Sequence, residues 1–260
     1  MNKKLLFLSA LRILTSKVVF TILAVGGLAG FNIGCSSDGK NSDAAEGAYA
    51  IAQEFDKDER YEEAIKRYQE VKNKFPYSKY ATMSELSLAD VYYKQESFAE
   101  AQVAYQSFKD LHPKHAQIDY VSFRIGMSYF KQLPETIDRD LSLANNAIAA
   151  FDEVLSKYSQ STYVQESKDN RMSALKMLAG KEEYIAEFYF KREKFDSALT
   201  RYEGLLATYP GLGFDAAALS KAVICAHKTG DFDKRQRLLK KLEAQFPGSN
   251  ELDAAQKGVR

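Results

Sequence analysis

Five segments of this chain end in the same way, and that recurrence restricts the fold more than any other feature of the sequence. The endings are KFPYS (Phe75, Pro76), LHPKH (Pro113), KYSQS (Tyr158), TYPGL (Tyr209, Pro210) and QFPGS (Phe246, Pro247). Before each lies an amphipathic run of about 14 residues, from YEEAIKRYQEVKNKF to FDKRQRLLKKLEAQF. A proline just past the last apolar residue cannot continue a helix and drives its predecessor towards extended geometry. These runs are therefore expected to be the second helices of five hairpins. A small residue fixes their register: Ala64, Ala101, Ala147 and Ala198, with Arg235 in the fifth, at spacings of 37, 46, 51 and 37. Four residues on stand Tyr68, Tyr105, Phe151 and Tyr202, with Leu239 in the fifth. A small residue lets paired helices approach, and the large ring one turn away fills the space between neighbouring hairpins.

The preceding helices repeat a small residue followed by an aromatic: Ala52 and Phe55, Ala89 and Tyr92, Gly126 and Tyr129, Ala186 and Tyr189. With the terminal proline, these positions resemble the tetratricopeptide repeat over roughly residues 45 to 248. The expected fold is all-α, a solenoid of five helical hairpins. The wider third spacing places extra residues, LPETIDRDL, in the turn of repeat three. The fourth reflects a segment from Tyr163 to Lys191 without proline, expected as one helix of about 29 residues and ~43 Å. The fifth repeat, with Arg235 and Ala226 at its signature positions, suits a polar terminal cap.

The first 34 residues have a different character. Lys3, Lys4, Arg12 and Lys17 precede a largely apolar run from Val18 to Ile33, and no acid occurs in the segment. The run is interrupted by Gly26, Gly27 and Gly30 and falls short of the ~20 residues that span a bilayer, so a signal peptide is favoured over a transmembrane helix. Cys35 follows directly in FNIGCSS, which resembles a bacterial lipobox with Asn32 where leucine is usual. The resemblance implies acylation at Cys35, and two or three acyl chains anchor a protein stably where one does not. Cys225, in AAALSKAVICAH, is expected in the core. Without the leader, 32 basic residues face 35 acidic ones, interspersed as on solvated helices, which gives no footprint for nucleic acid. The expected organisation is a lipoprotein signal at 1–34, a lipidated linker at 35–44, repeats one to three at 45–160, repeats four and five with the long helix at 161–248, and a tail at 249–260.

Three stretches sharpen the resemblance: LHPKHAQIDYVSFRIGMSYF, the insertion leading into DRDLSLANNAIAAFDEVLSKYSQSTY, and the long helix ending EEYIAEFYFKREKFDSALTRYEGLLATYP. They are similar to the BamD (ComL/YfiO) family of outer-membrane barrel-assembly lipoproteins. That resemblance implies a non-enzymatic scaffold, anchored by lipid on the periplasmic face of the outer membrane. Its implied partners are a BamA-like barrel subunit, unfolded outer-membrane barrel proteins and other lipoproteins of the complex. It also implies a partner contact in the region of Arg201, whose guanidinium offers a bidentate fork to a carboxylate. In proteins of this kind a concave groove is lined by fixed positions of each first helix. Counted here, these are Tyr49 and Gln53, then Met83, Leu86, Asp90 and Tyr93, then Tyr120, Phe123, Met127 and Phe130. Such an aromatic and methionine-bearing stripe suits adaptable binding of apolar side chains, or else inter-repeat packing.

No phosphate loop, nucleophile elbow or zinc-protease pattern is present. The three histidines, His112, His115 and His227, are too few and too scattered for a metal site, and His112 and His115, which flank Pro113 in an inter-helix turn, are expected on a loop surface. Acidic pairs such as Glu62 and Glu63 sit at helix starts, where they favour the macrodipole. No cofactor or catalytic activity is expected. Another periplasmic tetratricopeptide adaptor, of the Tol-Pal coordinator or pilotin type, is the second reading.

Overall fold

A computed structural model of the chain describes residues 41–259. The expected signal peptide and Cys35 lie outside the described residues. Those described form eleven helices and no strand. They pair as hairpins: α1 (Ala45–Lys57) with α2 (Tyr61–Lys74), α3 (Lys79–Lys94) with α4 (Phe98–Leu111), and α5 (Ile118–Lys131) with α6 (Ser142–Lys157). The pairing continues with α7 (Val164–Lys191) and α8 (Phe195–Thr208), then α9 (Asp215–Lys228) and α10 (Phe232–Gln245), and α11 (Asn250–Gly258) closes the series.

The signature positions behave as packing demands. Ala64, Ala101, Ala147 and Ala198 are fully buried, and Tyr68, Tyr105, Phe151 and Tyr202 lie beside them with at most 1% exposure. Gly126 shows why a first helix must be small at this point. A Cβ there would lie 2.7 Å from the Phe151 ring, closer than packed carbon atoms tolerate.

Four of the five hairpins use one turn. Glu59, Glu96, Glu193 and Gly230 occupy the left-handed region at φ 59°, 62°, 57° and 78°. The next amide in each case donates back to the carbonyl of the signature position, as Ser97 N–H does to Tyr92 O at 2.9 Å and Lys194 N–H to Tyr189 O at 3.0 Å. Repeat three lacks this turn because the insertion replaces it. Leu133 and Ile137 from the insertion pack with Leu141, Ala144 and Ala174, and Lys181 Nζ donates to the Arg139 carbonyl. The insertion thus lines the middle of α7 and supports a helix of 28 residues, ~42 Å long.

The C-terminus departs from expectation. Residues 249–260 were expected as a tail, but 250–258 form α11, started by the Ser249 side chain accepting from Leu252 N–H at 3.2 Å. Leu252 and Ala255 pack on Leu219, Val223 and Leu242. The apolar spacing of Leu252, Ala255 and Val259 carries this helix, and it covers the apolar flank that repeat five would otherwise expose.

Candidate functional site

Between α3 and α5 a group of aromatic and charged side chains meets on the face of the first helices. Asp90, one residue after buried Ala89, accepts hydrogen bonds from the hydroxyls of Tyr105 at 2.5 Å and Tyr120 at 2.7 Å. Tyr120 in turn accepts from Arg124 Nε at 3.0 Å, so the chain of donors runs from guanidinium to hydroxyl to carboxylate. The Arg124 guanidinium carbon lies 4.5 Å from the centre of the Tyr93 ring and 5.1 Å from that of Tyr120, a cation–π arrangement. Tyr163, just before α7, stacks on Phe123 with centroids 4.8 Å apart and planes at 15°. Tyr93 meets Phe98 edge-on at 5.2 Å.

Burial sets the titration of this group. It pushes the Asp90 carboxyl above its ordinary range, against the two tyrosine bonds and the Arg124 charge, which pull it down. Burial and the adjacent Asp90 raise Tyr120 to about 12, and they push Tyr105 further up. Both hydroxyls therefore remain donors at neutral pH. Neither hydroxyl is activated as a nucleophile near neutrality, and the rings and guanidinium are suited to binding.

The stripe expected as a groove divides in the structure. Phe123, Met127, Leu86 and Tyr49 are core residues in this conformation, with 2% exposure for Phe123. Phe123 and Met127 pack with Phe151, and Leu86 with Ala89 and Tyr105. Tyr49 lies between Tyr68 and Tyr80 and shares a hydrogen bond with Ser87 at 3.1 Å. Tyr93, Tyr120 and Phe130 are half-buried and keep part of their rings in solvent, whereas Met83 is exposed. The period of the first helices does not separate these two groups, because the covering residue for Phe123 comes from the start of α7. Arg124 and Tyr163 were absent from the expected set. A basic residue one turn after Tyr120, next to Phe123, was the available signal for the first.

Arg201, in α8, pairs with Glu182 of α7 at 3.1 Å, and both side chains are partly exposed. Cys225 is fully buried, which raises its thiol to about 12. His112 is not a loop-surface residue: its Nε2 lies 2.7 Å from Glu85 Oε2 and its ring, like that of His115, packs on Phe108.

The family model described as "YfiO: Outer membrane lipoprotein" matches residues 41–230. The outer membrane protein assembly factor BamD of Neisseria meningitidis serogroup A is 26% identical over 215 residues, 79% of this chain and 80% of the relative. Its counterpart in Vibrio cholerae is 29% identical over 157 residues, 56% of this chain and 65% of the relative. That of Rickettsia prowazekii is 23% identical over 238 residues, 90% and 93% of the two chains.

Proposed function

The chain belongs to the YfiO family of outer membrane lipoproteins, and from that premise we propose that it is a non-enzymatic scaffold for assembling β-barrel proteins into the outer membrane. Its relatives carry the name of outer membrane protein assembly factor. The observation that carries the reading is the half-open group of Tyr93, Tyr120 and Arg124 on the first-helix face, held rigid from below by Asp90 and Tyr105. Aromatic rings of fixed orientation offer an extended, apolar-bearing polypeptide a large contact area at little entropic cost.

The division of labour follows the chain. Repeats one to three, residues 45–160, receive the unfolded barrel polypeptide. The long helix and repeats four and five, residues 161–248, hold a BamA-like barrel subunit, with Arg201 exchanging its partly exposed partner Glu182 for a carboxylate of that subunit. Exposed Tyr184 and Phe188 of α7, the latter under Arg192 at 3.7 Å, lend that half an apolar surface of its own. Cys35 carries the lipid that keeps the scaffold on the periplasmic face of the membrane.

Affinity purification of the tagged chain from membranes tests the reading. A large barrel-forming protein should co-purify, and depletion of the chain should lower the amount of folded barrel proteins in the outer membrane. Normal barrel levels after depletion would refute it. Cys35→Ser should leave an unprocessed precursor; an unmodified cysteine in the mature protein would remove the anchor from the account.

A further inference from the structure

Two clusters in this chain share one plan. Asp90 in α3 and Glu187 in α7 each follow the buried small residue, Ala89 or Ala186, and each accepts the hydroxyl of its own hairpin's ring, Tyr105 at 2.5 Å or Tyr202 at 2.6 Å. Three residues on, Tyr93 and Phe190 present a ring to a cation from the next first helix. Arg124 of α5 stands 4.5 Å from the Tyr93 centroid, and Lys221 of α9 stands 4.1 Å from that of Phe190. The spacing between counterparts is the same throughout.

The clusters part at the cation. Lys221 Nζ lies 3.5 Å from Glu187 Oε1, so its charge is met within the chain. Arg124 has no carboxylate within ion-pair distance among the described residues, unlike Arg60, Arg67, Arg171 and Arg201. The cause is Tyr120, which stands where the second cluster has Ala217. Its hydroxyl donates to Asp90 and accepts from Arg124 Nε, and so occupies the space between acid and cation. A guanidinium carries five N–H donors in a planar fork. Here the donors meet the neutral hydroxyls of Tyr120 and Tyr93 and the faces of their rings, none of which carries a formal charge. Glu166, whose charge reaches Tyr93, is exposed and makes no ion pair with Arg124.

We propose that Arg124 docks an acidic side chain of an extended polypeptide that lies across α3 and α5, with the flanking apolar side chains of that polypeptide against Tyr93 and Tyr163. Charge complementarity selects the acid, because a half-buried guanidinium gains most from a bidentate carboxylate. Rings stand on both sides of Arg124, with Phe98 beyond Tyr93 and Tyr163 beyond Tyr120. The bound chain therefore continues in both directions, and the acid is internal to it. The inference rests on the polypeptide-binding reading above and adds to it what the polypeptide must carry.

The test uses the full chain and two acetylated, amidated ten-residue peptides of alternating tyrosine and threonine, one with a central glutamate and one with glutamine there. Fluorescence anisotropy should show the glutamate peptide binding about tenfold more tightly, a difference of about 1.4 kcal/mol. Arg124→Met should abolish the preference, so that the glutamate and glutamine peptides bind the variant equally, whatever their common affinity. Arg124→Gln provides the same comparison should the methionine variant unfold, and Lys221→Met should leave the preference intact. Equal affinities in the unaltered chain, or a preference that survives both Arg124 variants, would overturn the assignment of Arg124 alone. Failure of both peptides to bind would overturn the polypeptide-binding reading together with it. A third peptide, with glutamine and a free C-terminal carboxylate, separates the sources: if it alone binds tightly, the internal acid is refuted and polypeptide binding stands.

Discussion

Repeats one to three and the half of the chain from α7 onward bury the same pair of small and aromatic residues, yet they present different chemistry beside it. In the first half the residues around the pair are Tyr93, Tyr120 and Arg124, with the cation left on ring faces. In the second, Glu182 and Glu187 take up Arg201 and Lys221 within the chain, while Tyr184 and Phe188 stand exposed on α7. The signature positions of a repeat determine how hairpins stack. The positions next to them are free to differ, and there the two halves acquire different surfaces.

The comparison breaks first where packing is shared. Phe151 is fully buried against Phe123, Phe130 and Gly126, so Phe151→Ala should lower unfolding free energy by about 3–5 kcal/mol in a denaturant titration. A loss under about 1 kcal/mol would show that repeat three is held by its insertion and not by the shared pair.

A smaller effect sharpens the contrast between the two buried acids. Asp90→Ala strands the Tyr105 and Tyr120 hydroxyls, and should cost about 1–3 kcal/mol by the same titration. Glu187→Ala should cost no more, because it strands one hydroxyl, that of Tyr202, and leaves Lys221 partly exposed to solvent. If Glu187→Ala costs clearly more, the Tyr120 bond adds nothing to the first cluster.

The pH dependence separates them further. Burial raises the Asp90 pKa above its ordinary 3.8, so the folded chain holds that proton more tightly than the unfolded one. The resulting stability is fully present below the ordinary value and is lost as pH rises through the raised one. Asp90→Asn cannot titrate, and should remove this decline from the stability profile above the ordinary carboxylate value. An unchanged slope would mean that Asp90 titrates normally in the folded chain.

The smallest expected change in stability belongs to Arg201→Glu. Its pair with Glu182 is exposed, and should contribute no more than about 1 kcal/mol to folding. Recovery of the barrel subunit in affinity purification should nevertheless fall sharply. Unchanged recovery would remove Arg201 from the partner surface.

Much of the fold was legible in the sequence because a period repeated five times averages out local ambiguity. The five hairpins, the long helix and the lengthened turn of repeat three follow from proline stops and from the register of Ala64, Ala101, Ala147 and Ala198. The last helix was missed because α11 belongs to no repeat; its signals were only a serine cap and three apolar residues. The candidate site was legible in part. Counting positions found Asp90, Tyr93 and Tyr120 but also gathered Phe123 and Met127, because helix period gives direction and not depth. Phe123 is buried by Phe151 of its own hairpin and by Tyr163, 40 positions on in sequence and outside repeat three, and no local pattern announces the second contact.

The central claim is that the first-helix face of repeats one to three, and not its counterpart in the second half, receives the extended polypeptide. A photo-crosslinking amino acid placed at Tyr93 and, separately, at its counterpart Phe190 tests this with an unfolded outer-membrane barrel protein as the probe. The account predicts a crosslinked product from position 93 that an excess of unlabelled polypeptide suppresses, and little or none from position 190. A strong product at 190 with none at 93 would contradict it.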